Sequence, residues 1–214
     1  LLDAGRMEEA AEYCRKFGNV DNTFRTPLYQ GLIFWYQGNR GEAFAIWGRM
    51  QQQFPDEWMV YLSIGDIMAR TGEYEESKTY YRKAIAAQKA PVFTDAYESI
   101  AQVCELQGNI REAISVLKEE LEVMLSEVKK KLPDLIVSEN ENLAEVNRDL
   151  NLVTEVEGYP FSLTWKTADY EKIRTDGKVD VQEVPKEGEE VLLTAVYSYE
   201  DYRWEQEIVV KLVP

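Results

Sequence analysis

The sequence predicts a two-part molecule: an all-α solenoid of helical hairpins over residues 1–131, then an all-β antiparallel sandwich over residues 132–214. Three observations predict it. A motif recurs in the first half with a period near 34 residues, apolar residues in the second half alternate with a period of two, and Lys129-Lys130-Lys131-Leu132-Pro133 lies between them. The longer period is that of a two-helix unit and the shorter that of a half-buried strand. At 214 residues and 45% hydrophobic content, the chain is long enough for two cores.

The repeat is carried by GNRGEAFAIWGRM from Gly38, GEYEESKTYYRKAI from Gly72 and GNIREAISVLKEEL from Gly108. Each has a Gly, a small residue five places on (Ala43, Ser77, Ala113) and a large apolar residue four further on (Trp47, Tyr81, Leu117). GRMEEAAEYCRKF opens the chain as a partial copy, with Gly5, Ala10 and Cys14 in those places. A glycine at a hairpin tip takes the left-handed conformation that ends one helix, and the small residue beyond it lets the next helix pack close. Gly31, Gly65 and Ala101 sit seven residues before the tips and again permit close approach, followed on the same face by Phe34, Met68 and Cys104. In FPDEW, Pro55 marks a stop followed by a start. Cys14 and Cys104 fall on apolar faces and read as buried small hydrophobes. The basic run and Pro133 place the end of the last helix and the domain boundary.

Residues 31–121 resemble tetratricopeptide repeats, and the resemblance covers about the first 125 residues. It departs at Gln30 and Glu120, where the family favours an apolar and a small residue, and at an insertion around Ala90-Pro91. The resemblance implies a concave groove lined by the first helix of each hairpin and docking a protein or peptide. Its residues here would be Tyr29, Leu32, Trp35 and Tyr36 in one repeat, Asp66 and Arg70 in the next, and Glu98, Gln102 and Glu105 in the third. Some members capture a terminal carboxylate with converging Lys, Arg and Asn; here those places hold Leu28, Leu32, Leu62 and Asp66, which do not suit that mode. An aromatic and aliphatic patch grading into acidic residues suits an apolar or basic helix or peptide. The alternative for Trp35 and Tyr36 is packing against a preceding repeat.

Beyond Pro133, four segments alternate: Phe161-Leu163-Trp165, Val179-Val181, Val191-Leu193-Ala195-Tyr197 and Trp204-Ile208-Val210-Leu212. Turns fall at Tyr159-Pro160, Asp176-Gly177, Glu187-Gly188 and Glu200-Asp201, which reads as an antiparallel sandwich. Residues 149–213 resemble the atrophied Ig-like domain of bacterial surface and secreted proteins. The likeness rests on Leu163-Thr164-Trp165, Ile173, the turn Asp176 to Val179, and Val191 to Ala195. It implies a Trp165 anchored between sheets and no catalytic residues. Asp176 to Asp180 lacks the repeated oxygen ligands of a calcium loop, and Ser138 to Asn142 reads as an acidic linker, so no metal is expected.

The absence of histidine removes His-based general bases, Ser-His-Asp triads and His metal ligands, and two distant cysteines make neither a zinc site nor a disulfide framework. No catalytic residue and no cofactor is therefore assigned. A net charge of −15 disfavours direct nucleic-acid binding. The charge is uneven, with 16 basic and 20 acidic side chains in residues 1–132 against 8 and 19 in residues 133–214. Apolar runs such as Leu32 to Tyr36 are too short to span a membrane. The leading expectation is a non-enzymatic protein-interaction module, its groove docking a protein or peptide and its Ig-like part acting as spacer or second contact, in the cell envelope or another extracytoplasmic setting. One alternative is the sensor region of a bacterial, cytoplasmic regulator with a DNA-binding domain upstream; the other is a carboxylate-dependent hydrolase. The start at Leu1-Leu2-Asp3 leaves room upstream for a signal, an anchor or another domain. Oligomeric state is not legible.

Overall fold

A computed structural model describes residues 6–17, 23–89 and 93–214; Gly5 and the Ala90-Pro91 insertion lie outside the described residues. Among these, seven helices precede three strands: α1 (Met7–Phe17), α2 (Arg25–Tyr36), α3 (Arg40–Gln53), α4 (Trp58–Arg70), α5 (Tyr74–Ala87), α6 (Asp95–Leu106), α7 (Ile110–Ile136), β1 (Ser162–Thr167), β2 (Glu189–Tyr199) and β3 (Tyr202–Leu212). The chain divides into two compact units, Leu1–Glu120 and Leu121–Pro214.

The first unit is a run of tetratricopeptide-like hairpins, α2–α3, α4–α5 and α6 with the start of α7. Gly38, Gly72 and Gly108 all have positive φ, between 76° and 83°. Around each the backbone closes the same turn. Asn39 donates to Phe34 O at 2.9 Å, Glu73 to Met68 O at 2.9 Å and Asn109 to Cys104 O at 2.8 Å, the wide loop of a Schellman motif repeated three times. Ala43, Ser77 and Ala113 are buried just beyond. A side chain at Gly31 would put its Cβ 2.1 Å from Trp47 Nε1, and one at Gly65 would meet the Tyr81 ring at 2.6 Å. The glycines thus clear space for the large residue of the following helix. Trp47 uses it fully: it is buried, and its Nε1 donates to Leu28 O at 3.2 Å. In the third copy Leu117 is 38% exposed, and the neighbouring Val116 is the buried residue. Side chains one repeat apart tie successive hairpins: Arg40 pairs with Glu73 at 2.5 Å and Lys78 with Glu112 at 3.4 Å. α3 ends at Gln53 and α4 starts at Trp58, with Pro55 between them as the sequence requires. Cys104 is buried, whereas Cys14 is only half-buried.

Two expectations for the second half are corrected. The last helix does not stop before Pro133; α7 continues to Ile136 with Pro133 inside it. Proline has no N–H to give to the Lys129 carbonyl four residues back. Gln206 of β3 supplies the missing donor: its Nε2 donates to Lys129 O at 3.0 Å while its Oε1 accepts from Tyr197 Oη at 2.5 Å. Lys129 Nζ in turn donates to Glu205 O at 2.9 Å. The helix end is then finished by Asn151, whose N–H donates to Ile136 O at 3.0 Å.

The other correction is the second sheet. Among the described residues there is one antiparallel sheet, in order β1-β2-β3. Leu163 opposes Tyr197, Trp165 opposes Ala195, and Leu193 and Val191 oppose Ile208 and Val210, so one face carries all these apolar side chains. The layer over that face is helix and irregular chain: Leu125, Val128, Leu132 and Ile136 of α7, with Val146, Leu150, Ile173 and Val184, share its core. The expected strand at Val179-Val181 is reduced to an isolated bridge between Ile173 and Val179. Trp165 is buried as a core anchor, its Nε1 donating to Val153 O at 2.9 Å, although what it packs beneath is not a second sheet. The acidic stretch at Ser138 to Asn142 is likewise more than a linker. Asn140 is buried, donates to Val137 O at 2.9 Å and accepts from Arg148 N at 3.0 Å, fixing the chain where it leaves the helix.

Candidate protein-docking surface

In each hairpin of the first unit, the first helix turns one side inward and leaves one stripe outward. On α6 the buried residues are Ala96, Tyr97, Ile100, Ala101, Val103 and Cys104. The outward stripe at helical spacing is Asp95, Glu98, Gln102 and Glu105, all exposed. On α4 the matching stripe is Met59, Leu62, Asp66 and Arg70, and on α2 it is Arg25, Tyr29, Leu32 and Tyr36. α2 touches α4 and α4 touches α6, so the three stripes are neighbours. Their composition is graded, from aromatic and aliphatic with one arginine on α2, through mixed on α4, to acidic on α6.

The sequence-predicted residues do not all reach this surface. Tyr29 and Tyr36 are 49% and 48% exposed, and Leu32 is half-buried against the core. Trp35 is removed from it: only 5% exposed, it packs against Trp47 and Phe44 with ring centroids 5.7 Å away in each case, and the Arg40 guanidinium covers its ring at 4.5 Å. An aromatic one helical position from Tyr36 is thus a core residue of the α2–α3 hairpin. Arg70, Glu98, Gln102 and Glu105 are exposed. Asp66 is half-buried and accepts from Tyr81 Oη at 2.9 Å.

The electrostatics follow from this placement. Burial raises the Asp66 carboxyl above the usual range, opposed by the Tyr81 hydrogen bond and Arg70 and reinforced by Asp95. Burial raises Glu120 as well, opposed by a hydrogen bond with Thr94 and reinforced by the charge of Glu98. Tyr81 is raised by burial first and by Asp66 next. Burial is thus the main cause at both carboxyls, and the neighbouring charges of Asp95 and Glu98 add to it, against Arg70 at Asp66. Met59 (42% exposed) and Asp95 join the surface without having been singled out from the sequence, and the partly exposed Glu120, noted there only as a departure from the family pattern, borders it. For Met59 and Asp95 the signal was available, since each lies one helical step before Leu62 or Glu98.

Such a surface offers hydrophobic contact, hydrogen bonds and negative potential; among the described residues no group of three or more acidic or cysteine side chains is placed to hold a metal ion. No described helix is long and apolar enough to cross a membrane.

Comparison with known proteins gives a match to the tetratricopeptide repeat family model over residues 60–91. No curated protein matches the sequence significantly. Two crystal structures of MamA are similar at 24% identity and a TM-score of 0.44: one over 61% of this chain and 69% of that one, the other over 60% and 74%. The matched residues begin inside α4 and run through α5, so the likeness to the family lies in the middle hairpin of the first unit.

Proposed function

We propose that this chain is a protein-interaction module that docks a segment of a partner protein along the outward stripes of α2, α4 and α6. The observation carrying this reading is that these helices leave Tyr29, Tyr36 and Met59 between 42% and 49% exposed on neighbouring stripes, while their opposite sides complete the core. Exposed aromatic and Met side chains grouped on a rigid helical scaffold are the usual anchors of protein recognition. The test is capture of partners from a lysate of the source cells on the immobilised chain. Tyr29→Ala with Tyr36→Ala should remove the captured proteins, and an unchanged capture would sink the reading.

The C-terminal unit, with its single sheet, serves on this reading as a spacer or second contact in a protein of the bacterial cell envelope. Its support is the run of Trp165, Ile173, the Asp176-Gly177 turn and the Val191 strand in the order of the bacterial Ig-like family. Fractionation of source cells followed by immunodetection tests the placement, and recovery of the protein in the cytoplasm alone would overturn it.

A further inference from the structure

We infer that the docked segment is cationic at one end and apolar at the other, its apolar residues over the tyrosines of α2 and its Lys or Arg residues over the acidic stripe of α6. The inference rests on the docking reading above and adds the chemistry and the polarity of the occupant.

Three observations carry it. The stripe Asp95, Glu98, Gln102 and Glu105 contains no basic residue, although the chain has cations to spend elsewhere in the same unit. Four cations of the unit pair with other carboxylates, Arg40 with Glu73, Lys78 with Glu112, Arg82 with Glu119 and Lys89 with Asp56, while on the surface itself Arg70 acts on Asp66 of its own helix. Exposed carboxylates of α6 lie near enough to two half-buried ones to add to the effect of burial on them, Asp95 on Asp66, where Arg70 acts the other way, and Glu98 on Glu120. A cation laid across α6 offsets both contributions, whereas an anionic or purely apolar segment adds to them or leaves them. At the other end the α2 stripe has Tyr29, Leu32 and Tyr36 beside Arg25 and no carboxylate, so the apolar contacts and the negative charge are separated along the solenoid. That separation fixes direction as well as charge.

The probe is a library of random peptides displayed on phage and selected on the whole chain. The enriched sequences should carry aromatic or aliphatic residues towards one end and Lys or Arg towards the other. A synthetic peptide from that pool should bind roughly tenfold more weakly to the Glu98→Lys, Glu105→Lys chain, and likewise between about 50 and 500 mM NaCl. Glu98→Gln with Glu105→Gln should give a smaller loss in the same direction, and both pairs lie at exposed positions that leave the fold intact. An enriched pool of neutral or acidic peptides that is lost with Tyr29→Ala, Tyr36→Ala would overturn the polarity and leave the docking reading standing. A pool indifferent to both the tyrosine and the glutamate substitutions, or no enrichment, would overturn both.

Discussion

The two units solve the same problem, burying apolar side chains behind a satisfied backbone, by different means. In Leu1–Glu120 the solution is written once and reused. A left-handed glycine closes each hairpin, and a missing Cβ at Gly31 or Gly65 admits the ring of Trp47 or Tyr81. In Leu121–Pro214 nothing repeats. Single side chains reach the backbone from far along the chain: Gln206 to Lys129 O, Asn140 to Arg148, Asp149 to Val179 N at 3.0 Å, Trp165 to Val153 O. A repeat spreads its stability over many equivalent contacts, whereas an irregular core concentrates it in particular hydrogen bonds.

The largest effect that tests this contrast is loss of a ring. Trp47→Ala removes a fully buried indole and should cost about 3–5 kcal/mol by denaturant unfolding. Next comes a paired glycine experiment. Gly177 and Gly72 have nearly the same φ, 87° and 83°, but a Cβ at Gly177 would meet the Leu150 carbonyl oxygen at 2.1 Å and one at Gly72 meets nothing. Gly72→Ala should cost only the left-handed penalty, about 1–2 kcal/mol, and Gly177→Ala distinctly more because backbone must move. Equal costs would remove the distinction drawn between the units.

The helix repair gives a sharper test. Gln206→Leu strands the Lys129 carbonyl and the Tyr197 hydroxyl and should cost about 1–3 kcal/mol. Pro133→Ala should recover part of that loss, because the restored N–H bonds Lys129 O itself, and it should gain less in the presence of Gln206. A double-mutant cycle by chemical denaturation reads the coupling, and simple additivity would show that Gln206 does not stand in for the missing donor.

The smallest effect is electrostatic. The folded protein holds the Glu120 carboxyl above its ordinary range, chiefly by burial. The folded state therefore binds a proton more readily than the unfolded chain, and this group's contribution to stability falls as pH rises from the unfolded value through the folded one. Glu120→Gln should raise the melting temperature at pH 7, and the gain should shrink as the pH is lowered to about 4. A gain that is constant with pH would refute the assignment.

The hairpin tips were legible because everything that fixes Gly38, Gly72 and Gly108 lies within a few residues and recurs. The strands were legible for the same reason: period two reports that one face of β2 is buried. It does not report what buries it, and the covering layer here includes Leu125, Val128 and Leu132, residues that read as the tail of the preceding helix. Pro133 was misread because its compensation, Gln206, comes 73 residues later and looks like any polar residue on a strand. Of the candidate docking surface, the stripe spacing was legible on α6. Trp35 was misplaced because its burial depends on Arg40, Phe44 and Trp47, which belong to the next helix.

The three tips share one further property. Asn39, Glu73 and Asn109 each receive the next helix in the same way, their carbonyls accepting from Ala43, Ser77 and Ala113 at 3.2, 2.9 and 3.1 Å. A genetic crossover joining Gly38 directly to Glu73, or inserting another copy of that stretch, meets the same junction chemistry on both sides. The length of the helical run is therefore a quantity that recombination can edit in steps of one hairpin, with no new corner to invent.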